Sequence, residues 1–565
     1  MKFSDYTYTR PDFDSVKADY TRLTDRLATA ATADEAKAVV SEVNKLSASV
    51  DTQMTLCSIR HSIDTTDSFY EAETDYWNEH GPLYQELATN YYKALVDSPF
   101  RTELAEILPE TFFKSAENQL KIFSPEIIPL LQKENDLVNQ YEKLIASAEI
   151  PFQDGVYNLT QMGPFAQSTD RATRKAASET TTGFFVENEH QFDSIYDQLV
   201  KTRDQIAKTL GFKDYVEYGY YNMNRFDYNR DMVKTYREEI KKHVVPLVES
   251  LYQRQAERIQ VPSLKHYDAA LEFLDGNAVP QGDPDFIINH GIKMYHELSP
   301  ETGEFIDFMV EHDLLDLVAK KGKRAGGYCT YLPDFKSPFI FSNFNGTSAD
   351  IDVLTHEAGH AFQVYQSRWI ENPESIWPTY ETCEIHSMSM EFITWPWMDG
   401  FFGPQVDKYK FSHLAGTLYF LPYGVLVDHY QHEVYENPDM TPAERKATWR
   451  RLEKEYLPYK DYSESADLDR GIFWFRQGHI YASPFYYIDY TLAQVCALQF
   501  WKRTQVDHDE TAWSDYLAIC QAGGTKSFLQ MVALANLNSP FKEGALESTV
   551  QAASDYLNSI DDKAL

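Results

Sequence analysis

The sequence has few cysteines, and their spacing forms no motif. Five of the 565 residues are cysteine, an odd number with no CxxC pair. They stand at Cys57, Cys329, Cys383, Cys496 and Cys520. This pattern excludes a disulfide framework and a thiolate metal site, and it predicts reduced, mostly buried thiols in a cytoplasmic protein.

The sequence also lacks long apolar runs and an excess of basic residues. No stretch approaches the roughly 18 apolar residues of a membrane-spanning helix. The first 20 residues lack a basic segment followed by an apolar run, so we expect no signal peptide and no membrane partner. The 52 Lys and Arg against 86 Asp and Glu give a formal net charge of −34. This surplus of negative charge repels phosphate backbones, which excludes nucleic acid as a partner.

What the sequence does contain favours a large, mainly helical fold. With 43% hydrophobic and 24% charged residues, it can bury a sizeable core and is not a disordered acidic tail. Apolar residues recur every three or four positions over about 11–145 and 170–260, which predicts helices. Residues 149–162 interrupt them with an Asp-Gly hairpin signal, and residues 320–346 read as the strands of a small sheet. We find no internal repeat or low-complexity linker, so any lobes are interlocked.

One short motif carries chemistry. His356-Glu357-Ala358-Gly359-His360 is an HExxH sequence within a helical pattern that begins near the possible N-caps Thr347 and Ser348. On a helix, positions i and i+4 share one face, so both imidazoles can bind one metal ion. Glu357 then lies beside the ion, where a general base takes a proton from a metal-activated water.

A catalytic zinc site needs a third protein ligand and one open position. A metzincin would have glycine at 363 and histidine at 366, but this chain has Gln363 and Gln366, which excludes that class. The next donors lie within YETCEIHSMSMEF, and spacing alone does not choose among them. They are Glu381, Glu384, His386 and Glu391. With imidazole and carboxylate donors and an open position, zinc is the default ion.

HEAGH, followed by ETCEIHSMSMEF and then by HIYASPFYYIDYTLAQ, resembles the M3 family of zinc oligopeptidases. That family includes thimet oligopeptidase and oligoendopeptidase F, and the likeness is strongest to its Pz-peptidase-like branch. The resemblance implies a mainly α, two-lobed zincin-type fold with a small β-sheet next to the active-site helix and a deep channel between lobes. We therefore predict a helical N-terminal lobe over 1–190 and an M3-like catalytic domain over 191–565.

The resemblance also implies roles for individual residues. The third ligand to one Zn²⁺ per chain would be Glu384, 24 positions after His360. Tyr490 would stabilise the oxyanion and His479 would contact the substrate, both as catalytic residues, while Tyr481 and Tyr486 would bind substrate. This segment is shorter than in thimet-type members and lacks their doubled glycine, so the register of its tyrosines stays open.

Two carboxylates near the motif, Asp352 and Glu391, have two interpretations. Either could accept the outward N–H of a ligand imidazole, as carboxylates next to metal-binding histidines often do. Either could equally be a solvated or salt-bridged acid. The strand SPFIFSNFNG before the motif also has two interpretations. It could be a sheet edge that pairs with a peptide, or an ordinary covered strand.

The predicted function is zinc-dependent endopeptidase activity on internal bonds of short, unfolded oligopeptides, with Glu357 as general base. One alternative is a zinc exopeptidase of carboxypeptidase or dipeptidyl carboxypeptidase type. It would need a cationic clamp for the terminal carboxylate, for which Lys323, Arg324 and Arg476 are candidates. The other alternative is a non-enzymatic, acidic helical peptide-binding protein with an accidental HExxH. The oligomeric state is not predicted.

Overall fold

The computed structural model describes residues 1–324 and 326–565. It is 69% helix and 4% strand, which confirms the predicted mainly α class. None of the helices in these two ranges is both long and apolar enough to cross a membrane.

The N-terminal region is a helical bundle with its own apolar cluster. Its helices are α1 (Phe13–Ala28), α2 (Ala33–Ile63), α3 (Ser68–Val96), α4 (Arg101–Leu104), α5 (Glu110–Ile122) and α6 (Ile128–Ala146). In α1 the Asp12 carboxylate caps the first turn by accepting from the Ser15 N–H at 2.8 Å. Val16, Leu23 and Leu27 then follow at helical spacing and are buried against α2 and α3. The cluster runs from Val16 to Phe113.

The predicted hairpin is confirmed. Strands β1 (Ile150–Phe152) and β2 (Gly155–Tyr157) pair antiparallel around a two-residue turn in which Gln153 has a φ of 48°. Helical structure then resumes as predicted, through the larger apolar core of the chain. The helices are α7 (Gly163–Ala166), α8 (Arg171–Glu187), α9 (Glu189–Thr209), α10 (Tyr215–Asn222), α11 (Arg230–Glu239), α12 (Val245–Arg258), α13 (Pro284–Leu298) and α14 (Pro300–Glu311).

The second sheet has three strands and stands directly before the HExxH helix. They are β3 (Leu315–Val318), β4 (Tyr328–Leu332) and β5 (Ser337–Phe344). Strand β5 lies in the centre, parallel to β3 and antiparallel to β4. The strand in front of the motif is therefore covered on both sides, and the alternative that made it a sheet edge is wrong. Among the described strands, β3 and β4 form the two edges of this sheet. Residues at the start of β4 line the cavity described below.

The remainder of the chain is helical. Its helices are α15 (Ala349–Ser367), α16 (Tyr380–Ile393), α17 (Met398–Phe402), α18 (Val406–Glu436), α19 (Pro442–Tyr456), α20 (Ala466–Asp469), α21 (Gly478–Ala482), α22 (Tyr487–Trp501), α23 (Ala512–Ala522), α24 (Phe528–Leu534) and α25 (Glu547–Ser559). Helix α16 packs against both α15 and α22, so it is the element that joins the HExxH helix to the tyrosine-rich segment. The predicted boundary between 1–190 and 191–565 stays a prediction.

Candidate active site

The turn between β5 and α15 fixes where the HExxH helix begins. Gly346 has a φ of 88°, which glycine adopts without strain. The Asp350 carboxylate accepts from the N–H groups of Asn345 at 2.9 Å and Gly346 at 2.7 Å, closing the turn. Ser348 occupies the N-cap position as predicted, but its side chain makes no cap hydrogen bond to any described residue.

Gly359, in the middle of the motif, allows α15 and α16 to touch. A Cβ at this position would lie 2.7 Å from both the His386 carbonyl oxygen and the Ser387 Cα. Any side chain here would push the two backbones apart. This close approach brings Glu384 of α16 to the face of α15 that carries His356 and His360.

The three predicted metal ligands converge. Each offers one donor atom, and those atoms lie within 4.8 Å of one another. Glu384 Oε2 is 3.3 Å from His356 Nε2 and 3.6 Å from His360 Nε2. Donors about 2.0–2.1 Å from a tetrahedral zinc ion stand roughly 3.3 Å apart, so this His₂Glu set fits such an ion. Burial opposes it, but hydrogen bonds from His356 and His360 lower the pKa of Glu384 and keep this carboxyl ionised.

Behind the ligands, one mostly buried carboxylate orients an imidazole. Glu391 Oε1 is 2.7 Å from His356 Nδ1, which leaves Nε2 facing Glu384. The other oxygen of Glu391 is 2.8 Å from His413 Nε2, and the Trp395 indole N–H donates to His413 Nδ1 at 2.9 Å. Glu391 thus occupies the position of an imidazole acceptor. Asp352 instead accepts from the Tyr409 hydroxyl at 2.7 Å.

Glu357 projects into a cavity beside the ligand set. Its residue surface is 8% exposed, and burial raises the pKa of its carboxyl above the ordinary glutamate value. The cavity has a volume of about 780 Å³ and reaches from α5 of the N-terminal bundle to the tyrosine-rich segment. Besides the ligands and Glu357, the residues that line it include Thr111, Phe112, Asn224, Gly327, Tyr328, Cys329, Glu374, Trp377, Tyr380, Cys383, Tyr486, Tyr490, Gly524 and Lys526.

Two tyrosines from the C-terminal part of the chain also face this cavity. The Tyr486 hydroxyl donates to Glu384 Oε1 at 3.4 Å, and the Tyr490 ring lies 4.9 Å from that of Tyr486. Burial raises the pKa of Tyr490 to about 12 and that of Tyr486 further still. Both phenols therefore keep their protons at neutral pH and can donate hydrogen bonds.

Comparison with known proteins decides the family. The model of the peptidase M3 N-terminal domain matches residues 3–123, and that of peptidase family M3 matches residues 165–551. The chain belongs to peptidase family M3. The resemblance drawn from the motif is therefore confirmed, as is the prediction that the chain is a peptidase related to oligoendopeptidase F.

Individual relatives agree with the M3 assignment. A solved structure of PZ peptidase A with an inhibitor is 53% identical, has a TM-score of 0.92, and is matched over 100% of both chains. An oligoendopeptidase F homolog of Borreliella burgdorferi is 23% identical over 71% of this chain and 66% of its own length. The structure of oligoendopeptidase-F from Enterococcus faecium is 15% identical, with a TM-score of 0.62 and 98% of each chain covered, and it shows the fold alone.

Not every predicted residue of this M3 peptidase reaches the cavity. Tyr481 is fully buried, with its ring stacked on Tyr141 at 3.9 Å, so the predicted substrate contact is wrong because this ring belongs to the core. His479 packs 5.9 Å from the rings of both Tyr486 and Tyr490, but it is not a lining residue. It stands behind the two tyrosines, with Nδ1 3.0 Å from Gln477 Nε2.

The unused donors of α16 and the candidate cationic clamps also lie elsewhere. Glu381 and His386 are buried in the interior and are absent from the cavity lining, and burial lowers the pKa of His386 to about 3. The Lys323 ammonium is buried and paired with Asp316, while the Arg476 guanidinium lies 4.3 Å over the Phe473 ring. Neither of these cations lines the cavity, nor does Arg324.

Sequence reasoning missed the anchor of the tyrosine-rich segment. Phe485, next to Tyr486, has a φ of 66°, a strained value for a bulky residue. Its carbonyl accepts from the buried Arg225 guanidinium, and its N–H donates to Gln431 Oε1 at 3.0 Å. Its buried ring fills space that a Cβ at Gly219 would occupy, 2.5 Å away. These contacts fix the backbone from which Tyr486 reaches Glu384, and no local motif in the sequence marks Arg225.

Proposed function

We propose that this M3 peptidase is a zinc-dependent endopeptidase that hydrolyses internal bonds of short oligopeptides by a metal-activated water with Glu357 as general base. The observation that carries the proposal is the convergence of His356, His360 and Glu384 beside Glu357 in one cavity. Two imidazoles and one carboxylate are the protein ligands of known zinc peptidase sites, which leave the fourth position open for water. When bound, Zn²⁺ would polarise the peptide carbonyl and lower the pKa of the attacking water.

The residues of the chain divide the remaining work. The Glu357 carboxylate takes a proton from the attacking water and returns it to the amine that leaves. Glu391 holds the His356 ring in a fixed tautomer and orientation through its bond to Nδ1. The Tyr490 and Tyr486 hydroxyls are placed to donate to oxygen as negative charge develops on it. His479 supports the rings of both tyrosines from behind.

Substrate binding is assigned to the walls of the cavity. Gly327, Tyr328 and Cys329, at the start of edge strand β4, line it and can offer backbone groups to an extended peptide. A cavity of about 780 Å³ suits short unfolded segments and is too small for a folded domain. None of the three cations considered for an exopeptidase clamp, Lys323, Arg324 and Arg476, lines it.

The cysteines support the proposed cellular setting. All five are free, three of them buried, as expected for a protein of a reducing compartment. We therefore retain a cytoplasmic location and short peptides of that compartment as the proposed setting.

The test is mass-spectrometric mapping of cuts in a mixed peptide library, with and without a chelator. We expect internal cuts that stop when the metal is removed and return when Zn²⁺ is added. Each cleaved peptide is then compared with its C-terminally amidated form, because an endopeptidase still cuts the amide whereas a carboxypeptidase does not. Removal of only the last one or two residues would favour the exopeptidase alternative, and undiminished cleavage in chelator would exclude a metal mechanism.

A further inference from the structure

The active-site cavity contains one cation that the proposed chemistry does not use. Lys526 is the single lysine or arginine among the described residues that line it. No carboxylate of the described part of the chain pairs with its ammonium group within 4.0 Å. Most lysines that reach a protein surface meet bulk water or an acidic neighbour, but this one meets the space that a substrate would fill.

The loop that carries Lys526 is packed too tightly to be an ordinary surface turn. Gly523 has a φ of 52°, and a Cβ there would lie 2.7 Å from the Ile370 side chain. A Cβ at Gly524 would lie 2.3 Å from the Trp377 carbonyl oxygen. The Thr111 hydroxyl of the N-terminal bundle donates to the Gly524 carbonyl at 2.6 Å. The backbone next to Lys526 is thus held from both sides of the cavity.

Trp377 lies between the Lys526 loop and the metal ligand His360. The Trp377 ring lies 6.3 Å from the His360 ring, and the backbone of Trp377 touches Gly524. Lys526 is two residues further on. One tryptophan and one tight loop therefore separate the cation from the ligand set, a separation that a few residues of extended peptide can cover.

Charge decides which group of a peptide would bind there. The other ionisable side chains that line the cavity include Glu357, Glu374 and Glu384, and the whole chain carries a formal charge of −34. Apart from the proposed metal site, Lys526 is the one lysine or arginine among the described lining residues that can attract a peptide carboxylate. We propose that Lys526 binds a carboxylate of the peptide substrate at a fixed distance from the scissile bond. This specificity rests on the proposed peptidase function.

The carboxylate has two possible sources, the C-terminus or an acidic side chain, and peptide design separates them. One series compares free-acid and amidated C-termini, with one to five residues after the cut. A second series keeps the amide and moves a single Glu, or its Gln match, along the peptide. We expect one position at which the carboxylate lowers KM about 10-fold to 100-fold, as for hydrogen bonds to charged groups, with kcat little changed. The series in which this happens identifies the source.

The variants assign that preference to Lys526. Lys526→Met should lose the discrimination between peptides with and without the carboxylate, and Lys526→Arg should retain it. Lys526→Glu should instead prefer a lysine at the same peptide position. Lys542→Met, at an exposed lysine outside the cavity, is the matched control and should change nothing. Equal discrimination by the wild type and Lys526→Met, or none in the wild type, would overturn the proposal. Failure of the peptidase function itself is recognised separately, because then the wild type cuts no neutral peptide.

Discussion

Two glutamates of the site should separate catalysis from metal binding. Glu357 is proposed to move a proton and Glu384 to hold the ion, so their glutamine variants should fail in different ways. We expect Glu357→Gln to retain zinc and peptide binding while kcat falls about 10²-fold to 10⁴-fold, the usual contribution of a general base. Glu384→Gln should lose zinc as well. Metal content and steady-state kinetics on one peptide check both.

The two variants are each other's control, because both remove one carboxylate charge from the same cavity. If Glu357→Gln also purified without zinc, the Glu357 carboxylate would be needed to hold the metal site together rather than to move a proton. If it kept full turnover, the proton would have to move through another group and the proposed mechanism would fail.

At the scale of single residues, sequence information was uneven. Helical spacing alone placed His356, Glu357 and His360 correctly relative to one another. It did not choose between Glu381 and Glu384, because that choice depends on how α16 meets α15, which Gly359 decides through a backbone contact. Tyr481 was misassigned for the same reason: whether a ring faces a cavity or the core depends on distant residues, here Tyr141.

The contact between α15 and α16 gives the first prediction for an element. Gly359→Ala would place a methyl group 2.7 Å from the backbone of α16 and force the helices apart. We expect a loss of about 1–3 kcal/mol in stability, as for other overpacked sites, and weaker zinc binding because Glu384 moves with α16. Thermal unfolding and a zinc titration measure the two effects.

An equivalent change elsewhere should act in the opposite direction. Gly416 lies in α18, and no described heavy atom outside the helix's own backbone lies within 4 Å of the position that a Cβ would take there. Gly416→Ala should therefore stabilise the helix by about 0.5–1 kcal/mol and leave zinc binding unchanged. If Gly359→Ala bound zinc like the wild type, the close helix contact would not determine the position of Glu384.

The interface between α16 and α22 contains a pair of buried acids whose effect depends on pH. Glu381 and Asp489 are each about 1% exposed, and only Asp489 bonds a cation, Arg225 at 3.0 Å, among the described residues. Burial first, and then the neighbouring Asp489 charge, raise the pKa of Glu381. The folded protein therefore holds a proton that the unfolded chain loses above the ordinary glutamate pKa of about 4.3.

Because the folded state binds more protons, the free energy of unfolding falls as pH rises above the ordinary glutamate pKa. The fall ends where Glu381 ionises in the folded state too. Glu381→Gln removes this titration. We expect the free energy of unfolding of the variant, relative to that of the wild type, to rise by at most about 1.4 kcal/mol per pH unit between about pH 5 and about pH 8, as measured by denaturant unfolding at each pH. Glu371→Gln, at an exposed site, should run parallel to the wild type. Parallel curves for Glu381→Gln would show that this carboxyl has no raised pKa.

Elements with strong local signals were predicted, and those defined by partners were not. The hairpin at 150–157 and the helix at 349–367 follow from turn residues and periodicity. Strand β3 was missed because its four residues, LDLV, have no alternation long enough to detect. The central place of β5 was equally hidden, since strand order depends on β3 and β4 rather than on the sequence of β5.

For the whole molecule, composition fixed the class and the charge but not the cavity. The mainly helical fold was predicted from periodicity over about 11–145, over about 170–260 and around the HExxH motif. The cavity is formed by parts as distant as Thr111, Gly327, Glu384 and Lys526, and its shape depends on contacts between them that no local pattern encodes. The separate apolar cluster of α1, α2, α3 and α5 is likewise a property of packing.

That separation predicts how metal binding should distribute stability through the molecule. The ligands belong to α15 and α16, and the residues that support them reach α18 through His413. Zinc at 100 times its dissociation constant adds about 2.7 kcal/mol to the states that bind it. We expect hydrogen exchange in α15 and α16 to slow when zinc is added to chelated protein, whereas α1 and α3, which pack in another apolar cluster, should change little.

Glu384→Gln is the control, because it keeps the fold but lacks one ligand, and zinc should leave its exchange rates unchanged. An equal slowing in α1 and α3 of the wild type would mean that the N-terminal bundle and the metal site unfold as one cooperative unit. In that case the two apolar clusters would not be independent units of stability.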